Sequence, residues 1–433
     1  MLGTRNAKIL VMGVGGGGCN AINSMIASGV ESAEFIAVNT DAQALEMSKA
    51  DKRITIGASI TKGLGAGARP DVGKQAANES RNELDKALDG VDMLFITAGM
   101  GGGTGTGAAP EIASYARDKG ILTVGVVTRP FAFEGAVRAK NAEEGINNLK
   151  QYCDTLIVIP NDNLLKVLGP KASMVEAFRH ADSVLRDSIK GIADLIGVPS
   201  MINVDFADVK TIMKDKGVAH LAVATAEGPN KIETAVRKAV MSMLLDTNIS
   251  GATGVLLSVV GGTSIGVLET NQAATMVRQC VSPDANIIFG MGIDEEFGDK
   301  VQVLLVATGF EENTAKGGIR TAVYGQGRMG HPVDNDKFMQ IYGLGEEVQQ
   351  PQPVQKPQVA ADATQYMPQQ PAYQQAPQQQ VPQQPAYQPR PGMYNSIFGQ
   401  QAQPAQQSFQ PEQNSNTGKK LPPWFARLTN RNV

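Results

Sequence analysis

The sequence contains little of what marks a secreted, metal-binding or membrane-spanning protein. Its three cysteines, Cys19, Cys153 and Cys280, are odd in number and widely spaced, which argues against a disulfide framework and favours a reducing cytosol. Its three histidines form no metal-ligand cluster. No apolar run reaches the ~18 residues that cross a bilayer, and the first residues lack the apolar stretch of a signal peptide. We therefore expect a soluble, cytoplasmic protein without a metal held by its own side chains.

The charge and length narrow the class further. The formal net charge is −3, so no overall basic field favours a nucleic-acid partner. A chain of 433 residues is long enough for two or three domains with sizeable cores. The pattern G-x-x-x-x-G-K-[ST] does not occur, which argues against a P-loop NTPase.

What the sequence does have is glycine, concentrated in three stretches. The densest, Gly99 to Gly107, has six glycines and two threonines in nine residues. The apolar run 91–98 before it predicts a buried strand, and 108–116 after it predicts a helix with Pro110 near its first turn. Glycines let the backbone approach a ligand closely, helix N-termini attract phosphate, and Thr104 and Thr106 add hydroxyl donors. We predict a phosphate-binding loop here.

The other two glycine stretches bear on a rival function. Residues 13–20 follow a short apolar strand, precede a helical pattern from Ala21, and contain the dinucleotide fingerprint G-x-G-x-x-G. Asp41 follows a second strand, 35–38, near where a ribose-binding acid is expected. A nicotinamide-dependent dehydrogenase is therefore an alternative. Such a unit needs one glycine-rich turn, however, whereas this chain adds Gly99–Gly107 and 63–68, so a nucleotide wrapped from several sides is favoured.

The remaining pattern predicts two α/β units joined by a long helix. Strands at 122–127 and 155–159 alternate with helices, which is typical of a parallel sheet covered on both faces. Apolar spacing from Met174, an S-x-x-E capping box at Ser173 and a stop at Gly197 predict one helix of ~34 Å. Beyond it we expect strands at 219–225, 255–260, 286–291 and 301–307 and helices at 232–245 and 271–280.

The composition changes after about Gln349. Residues 349–413 include 23 Gln and 12 Pro but only four charged residues, too little apolar surface to fold. We expect a flexible linker that ends in residues 419–433, where Trp424, the only tryptophan, stands beside Phe425. An aromatic pair at the tip of a tether is typical of a segment that docks into a partner's groove. The predicted domains are 1–172, the central helix 173–197, 198–312, the linker 313–418 and the tail peptide 419–433.

Four motifs together resemble the tubulin/FtsZ family of GTPases. They are the glycine signature 101–107, the loops 13–20 and 61–67, and the sequence N-V-D-F-A-D at 203–208. The resemblance covers residues 8 to about 312 and the tail motif. It implies a Rossmann-like GTPase domain joined by the central helix to a smaller α/β domain. It also implies GTP or GDP as the nucleotide, Mg²⁺ beside the phosphates, and head-to-tail polymerisation into the filaments of the midcell division ring.

The resemblance also implies the residues of the nucleotide site. The phosphates would be held by the backbone of the three loops: Gly16, Gly17, Ala66, Gly67, Gly101, Gly102, Gly103, Thr104, Gly105, Thr106 and Gly107. The ribose would meet Glu134, Arg138 and Asn161. The guanine would be stacked and recognised by Asn20, Phe178 and Asp182.

There are two interpretations of the segment that contains Asn203, Asp205 and Asp208. The spacing alone favours an ordinary helix N-cap with a second acid at the third helical position, worth ~1 kcal/mol. The resemblance implies instead that this loop enters the nucleotide pocket of the next subunit, where the two carboxylates position and polarise the attacking water. A scaffold that binds GTP without hydrolysing it is a third alternative, disfavoured by these two acids.

Two positions depart from the family pattern. Arg69 follows the Gly-Ala-Gly-Ala loop where the family often has Asn. The tail segment Pro422–Arg427 resembles the family's partner-binding peptide, but Lys419 and Lys420 stand where acids are usual. We expect division and membrane-tethering proteins to bind this tail, with no direct membrane insertion.

Overall fold

The computed structural model describes residues 7–169, 171–242, 244, 247 and 249–310. Within them the chain forms a sheet of seven strands followed by a sheet of four. The linker and the tail peptide predicted from the sequence lie outside the described residues.

The first sheet is parallel throughout and has the strand order 3-2-1-4-5-6-7. Four of its strands are buried along nearly their whole length, as expected for a sheet with helices on both faces. Its strands are β1 (Ile9–Val14), β2 (Glu34–Asn39), β3 (Lys52–Thr55), β4 (Met93–Gly99), β5 (Leu122–Arg129), β6 (Thr155–Pro160) and β7 (Gly217–Val218).

Eight helices accompany the strands β1 to β6. They are α1 (Gly15–Ala27), α2 (Ala42–Glu46), α3 (Ala58–Thr61), α4 (Pro70–Glu79), α5 (Arg81–Ala87), α6 (Thr104–Asp118), α7 (Ala136–Lys150) and α8 (Asn161–Leu168). On one face of the sheet, Leu94 and Ile96 of β4 share a core with Ile112 of α6 and Ile146 of α7. On the other face, Phe95 shares a core with Ile22 of α1. Alternate residues of one strand thus bury into both helical layers, because successive side chains of a strand point to opposite faces.

The ninth helix, α9 (Met174–Gly197), begins at the predicted capping box. The Ser173 hydroxyl oxygen accepts the N–H of Glu176, and a Glu176 carboxylate oxygen accepts the N–H of Ser173 at 2.7 Å. Its 24 residues correspond to ~36 Å. Leu185 and Ile189 of α9 belong to the core that also contains Phe95 of the first sheet and Leu304 of the second. One continuous core therefore passes from sheet to sheet along this helix.

The second sheet is mixed rather than parallel. Its order is 10-9-11-8; β9 and β10 are parallel, whereas β11 runs antiparallel to both β9 and β8. Its strands are β8 (His220–Ala226), β9 (Gly254–Gly261), β10 (Asn286–Ile293) and β11 (Val301–Thr308), and the helices of this part are α10 (Phe206–Met213), α11 (Lys231–Val240) and α12 (Val267–Cys280). The expected fold class, a parallel-sheet domain joined by a long helix to a smaller α/β domain, is confirmed.

Three local predictions were wrong. The helix after the glycine signature begins at Thr104, so Pro110 is its seventh residue and not near its first turn. Likewise α1 begins at Gly15, well before the predicted Ala21. Low helix propensity places glycine outside helices on average, but tertiary contacts override it here. The helix predicted to end at Leu245 ends at Val240, and Leu245 lies outside the described residues.

Two short strands, β3 and β7, have no counterpart in the sequence prediction. β3 has four residues, of which only Ile54 is buried, and β7 has two. Strands this short carry too little hydrophobic alternation to be recognised.

Candidate nucleotide-binding site

The site lies where the first sheet changes its winding direction. Strand β1 has β2 on one side and β4 on the other, so the connections reverse between β1 and β4. Ligands of doubly wound sheets bind in the crevice at the carboxyl ends of the strands at this point. β1 ends at Val14 and β4 at Gly99, and each is followed by a glycine stretch. The topology therefore brings two of the three predicted loops to one crevice.

The loops touch one another closely enough to require glycine. A Cβ on Gly15 would lie 2.8 Å from the nitrogen of Gly105, and a Cβ on Gly17 would lie 3.1 Å from the nitrogen of Gly99. The third loop joins them, because a Cβ on Gly103 would lie 2.8 Å from the Cβ of Ala66. Real Cβ atoms do not approach within 3.0 Å, so Gly15 and Gly103 are required, whereas a Cβ on Gly17 would need its neighbour to shift slightly. The three loops thus form one contiguous backbone surface.

Two helices begin in this surface with their N–H groups uncapped. α1 starts at Gly15 and α6 at Thr104, and neither has a side-chain cap or an acidic residue in its first turn. By contrast, α9 and α10 are capped by Ser173 and Asp205. The first N–H groups of a helix have no acceptor within the helix and carry partial positive charge. Two such ends in one crevice provide donors for an anion such as phosphate.

The two signature threonines have different roles in the loop. The Thr106 hydroxyl oxygen accepts the N–H of Gly101 at 2.8 Å, so it braces the loop internally. The Thr104 hydroxyl is 2.6 Å from the hydroxyl of Thr40, which immediately follows β2. The sequence prediction made both threonines donors to a ligand and overlooked Thr40. In the structure the Thr106 hydroxyl oxygen already accepts a hydrogen bond within the loop, and its proton remains available to a ligand.

Thr40 also anchors the third loop. Its carbonyl oxygen accepts the N–H of Gly65 at 3.1 Å and lies 3.3 Å from the Thr61 hydroxyl oxygen, whose proton it shares with the nearer Gly57 carbonyl at 3.0 Å. Thr40 is fully buried. One threonine therefore ties together the end of β2, the 61–67 loop and the signature loop.

Two of the predicted ribose residues, Glu134 and Arg138, follow Phe131 after β5, and the third, Asn161, follows β6. Glu134 accepts the N–H of Phe131 at 2.9 Å and forms an ion pair with Arg138. A Cβ on Gly101 would lie 2.7 Å from the Arg138 carbonyl oxygen, so this segment borders the signature loop. Asn161 begins α8 and is buried, and its Oδ1 has no hydrogen-bond partner within the described part of the chain. An unpaired buried amide oxygen at a crevice is typical of a ligand contact.

The predicted base-binding residues lie on α9 and α1. Phe178 meets Phe131 edge-on, with ring centroids 5.2 Å apart, and remains 44% exposed, so a face is available for stacking. Asp182 lies one turn further along α9, half-buried, and its burial raises the pKa of its carboxyl to about 6. Asn20 is exposed on α1, which packs against α9. All three residues therefore lie on the packed helices α1 and α9, and α1 begins in the glycine loops.

Arg69 and Ala66 lie at the edge of the same surface. Ala66 is buried against Gly103, and a Cβ on Gly103 would also lie 2.9 Å from the Arg69 nitrogen. The Arg69 side chain is exposed and precedes α4. This leaves its guanidinium free to extend toward solvent or an anion.

The acidic segment lies elsewhere in the chain. Asp205 is the N-cap of α10, and its Oδ1 accepts the Asp208 N–H at 2.8 Å, so the N-cap expected from spacing is confirmed. Asn203 Oδ1 accepts the backbone N–H of Ser200 at 2.5 Å. This segment follows the C-terminal end of α9, where the Ser32 hydroxyl, two residues before β2, donates to an Asp194 carboxylate oxygen at 2.6 Å. The residues before β2 lie at the amino edge of the first sheet, opposite the glycine loops.

No hydrogen bond or ion pair connects residues 203–208 to the glycine loops within the described residues. The Asp208 carboxylate, half-exposed, also has no donor there, whereas one oxygen of Asp205 is engaged in the cap. The single chain therefore presents a nucleotide crevice at one edge of the first sheet and two acids toward the other.

The fold and the crevice define a doubly wound nucleotide-binding protein, and comparison with known proteins names the family. Residues 8–169 match the family described as "Tubulin/FtsZ family, GTPase domain", and residues 217–311 match "FtsZ family, C-terminal domain". The structure of an FtsZ dimer from M. jannaschii is 46% identical, with a TM-score of 0.68 over 71% of this chain and 90% of that chain. A mutant of the same FtsZ gives the same identity and TM-score over 70% and 92%.

A more distantly related structure shares the same fold. CetZ1 from Haloferax volcanii, a GDP-bound monomer, is 22% identical, with a TM-score of 0.63 over 70% of this chain and 95% of that chain. The chain belongs to the Tubulin/FtsZ family and is of the FtsZ type. It is a guanine-nucleotide-binding GTPase of the cytoskeletal class, which decides against the dehydrogenase. No described helix is long and apolar enough to cross a membrane.

Proposed function

We propose that this GTPase binds GTP at the three glycine loops and polymerises head-to-tail into the filaments of the division ring. The observation that carries the proposal is the separation of its two chemical halves. The uncapped N-termini of α1 and α6 provide phosphate donors at one edge of the first sheet, and Asp205 and Asp208 lie toward the other. A second subunit stacked below the first would bring its crevice against these acids.

Binding would use three kinds of group. The backbone of residues 16–17, 66–67 and 101–107 would hold the phosphates, as the uncapped helix ends favour anions there. Glu134, Arg138 and Asn161 would contact the ribose, supported by the unpaired Asn161 oxygen. Phe178 and Asp182 would stack on and accept from the guanine together with Asn20.

Hydrolysis would be completed by the neighbouring subunit. Asp208 has an unengaged carboxylate, so it would accept a proton or hydrogen bond from the attacking water, while Asp205 holds the loop through its cap and Asn203 through Ser200. Mg²⁺ would neutralise charge developing on the phosphates. The fit is that of an ion held mostly by phosphate oxygens, since no group of three His, Cys, Asp or Glu side chains suited to a metal occurs in the described residues.

Apolar side chains that are exposed near the crevice and near the acidic segment support the proposed polymerisation. Phe133 and Val137 are 55% and 75% exposed beside the crevice, and Met201 is 66% exposed before the acidic segment. Large exposed apolar side chains of this kind mark contacts between proteins. We also propose cytoplasmic action at midcell, with the tail 422–427 binding division and tethering proteins.

A mixing experiment tests the shared site. Asp208→Asn protein should bind GTP but hydrolyse it slowly, and Thr104→Arg protein should fail to bind, because a long cation would occupy the buried space at the head of α6. A Thr104→Arg subunit that caps a filament end could still lend its Asp208 to an Asp208→Asn neighbour. The mixture should therefore recover part of the GTPase rate that neither variant has alone.

The control adds Thr104→Arg protein that also carries Asp208→Asn, which has no acid to lend and should restore nothing. Incorporation is followed by co-sedimentation of labelled subunits. If labelled Thr104→Arg subunits enter the polymer and turnover stays at the level of the control, the acids do not act in trans. Light scattering that does not rise with GTP over GDP would oppose polymerisation itself.

A further inference from the structure

Thr40 is not among the residues assigned to the nucleotide. Its side chain nevertheless forms a hydrogen bond with the side chain of Thr104 in the signature loop. Its hydroxyl oxygen lies 2.6 Å from that of Thr104. Thr40 is 0% exposed and Thr104 is 8% exposed, so solvent does not compete for this contact. A buried hydroxyl pair of this length is a well-formed hydrogen bond.

The direction of this hydrogen bond decides what Thr104 can do. Each threonine hydroxyl has one proton to donate and two lone pairs to accept. If Thr104 gives its proton to Thr40, its oxygen can only accept, and it repels an anion. If Thr40 gives its proton to Thr104, the Thr104 proton is free for a phosphate oxygen. A bound phosphate therefore selects the second arrangement.

The surroundings of Thr40 support the role of donor. Its hydroxyl has no other hydrogen-bond partner in the part of the chain that the structure describes, so its proton goes to Thr104 without breaking another bond. Its backbone is fixed independently, because its carbonyl accepts the N–H of Gly65 at 3.1 Å and its N–H donates to Oδ1 of Asn39 at 2.9 Å. The position of the hydroxyl is thus set before any ligand arrives.

We propose that Thr40 is a positioning residue for the nucleotide phosphates, donating its hydroxyl proton to Thr104 so that Thr104 donates to phosphate. This inference rests on the proposed phosphate-binding role of residues 101–107. Thr40 does not touch the nucleotide itself. It acts through Thr104 and links the 61–67 loop to the same point.

The test measures GDP and guanosine affinity in the full-length chain. Thr40→Val keeps the shape and removes the proton, and we expect GDP affinity to fall about tenfold, in the range for a lost hydrogen bond to a charged group. Guanosine, which has no phosphate, should compete as well as in the wild type. Thr40→Ser, which restores a hydroxyl, should bring GDP affinity back. Thr123→Val is the matched control, since Thr123 is equally buried and its hydroxyl bonds the Ile121 carbonyl at 3.0 Å, away from the loops.

A double-mutant cycle shows whether Thr40 acts through Thr104. Thr104→Val should weaken GDP binding by itself, and the double variant should be no weaker than Thr104→Val alone. Losses that multiply in the double variant would overturn the inference. So would native GDP affinity in Thr40→Val alongside weakened binding in Thr104→Val.

Two further results separate failure of the inference from failure of the proposed function. Unchanged GDP affinity in Thr104→Val would overturn the phosphate-loop assignment and the inference with it. Equal loss of GDP and guanosine in Thr40→Val would show a structural defect and overturn the inference alone. Thermal unfolding of each variant monitors folding, and Thr40→Ala, which places no methyl group against the Thr104 hydroxyl, replaces Thr40→Val if that protein does not fold.

Discussion

The Oδ1 atom of Asp205 accepts the backbone N–H of Asp208 at 2.8 Å, so one of the two acids proposed for hydrolysis also caps the helix that carries the other. The structural and the chemical interpretations of this pair are therefore compatible. They make different demands on the side chains, because a cap needs an accepting oxygen, whereas polarising a water needs a negative charge.

This difference gives a first prediction. Asp205→Ala should lower the free energy of unfolding by about 1 kcal/mol, because the N-cap is lost. Asp205→Asn should leave it nearly unchanged, since Asn caps as well as Asp, and Asp208→Asn should cost less than about 1 kcal/mol, because Asp208 only adds a negative charge to the first turn. Urea unfolding measures these values. The GTPase rate of Asp208→Asn should nevertheless fall roughly 10²–10⁴-fold, as for loss of a general base.

Matched binding data complete this test. GTP affinity should be native in Asp208→Asn, because the glycine loops lie at the other edge of the sheet. A near-native GTPase rate in Asp208→Asn would show that the two acids only stabilise the N-terminus of α10.

The glycine loops give a second prediction, from two positions in one stretch. A Cβ on Gly107 would lie 1.9 Å from the Pro70 carbonyl oxygen, whereas a Cβ on Gly102 meets nothing within 4 Å. Gly107→Ala should destabilise the protein by about 1–3 kcal/mol through overpacking. Gly102→Ala should keep native stability but lose GTP affinity if phosphate approaches the backbone there. Thermal unfolding and a fluorescence binding assay separate the two effects; unchanged stability of Gly107→Ala would contradict the packing described here.

Asp182 gives a third prediction, in pH. Burial raises the pKa of its carboxyl from 3.8 to about 6, so the folded protein favours the neutral form. The stability associated with this group is therefore greatest below pH ~4 and is lost as the pH rises toward ~6. Guanine recognition has the opposite sign, because only the ionised carboxylate accepts two hydrogen bonds without a proton of its own. GTP affinity should therefore fall as the pH drops below ~6.

The control is Asp182→Asn, which does not titrate. Its GTP affinity should lack the pH dependence between about 5 and 7, and its stability relative to the wild type should rise with pH over the window from ~4 to ~6. Calorimetric titration at several pH values measures the affinity, and urea unfolding at the same pH values measures the stability. An identical pH profile in the two proteins would remove Asp182 from base recognition.

The tail gives a fourth prediction. Deleting residues 349–433 should leave the GTPase rate and GTP-dependent sedimentation within about twofold of the full chain, because the described nucleotide crevice and acidic segment lie within residues 7–310. Its recruitment in cells should fail, since Trp424 and Phe425 are removed. Substituting both aromatic residues by Ala in the full chain is the matched control and should reproduce the loss. A truncated protein that still assembles a normal ring would show that the tail is dispensable.

Local patterns in the sequence predicted much of this structure. The capping box at Ser173, the N-cap at Asp205 and the buried strands of the first sheet depend on neighbouring residues, which a sequence displays directly. The crevice could be inferred as well, since a glycine stretch after a buried strand has few other uses.

Contacts between distant segments could not be predicted. The meeting of Thr40 with Thr104 depends on the order of β2, β1 and β4 in the sheet, and no local pattern marks it. The early start of α6 has the same origin, because Gly103 and Gly107 are fixed against residues 66–74. The roles of Glu134, Arg138, Asn161 and Phe178 came from resemblance to a family, and the residues themselves gave no spacing that implied them.

The position of β11 has a consequence for how the chain is made. This strand lies between β9 and β8 in the second sheet, yet it is the last strand of the described chain to be synthesised. Until Thr308 has left the ribosome, β8 and β9 have no partner between them, and Leu304 cannot cover Gly191 of α9. The first sheet can fold as it emerges, N-terminal part first. The nascent protein therefore leaves α9 without its Leu304 contact at Gly191 while about a hundred further residues are translated, and the second sheet is completed only after the first.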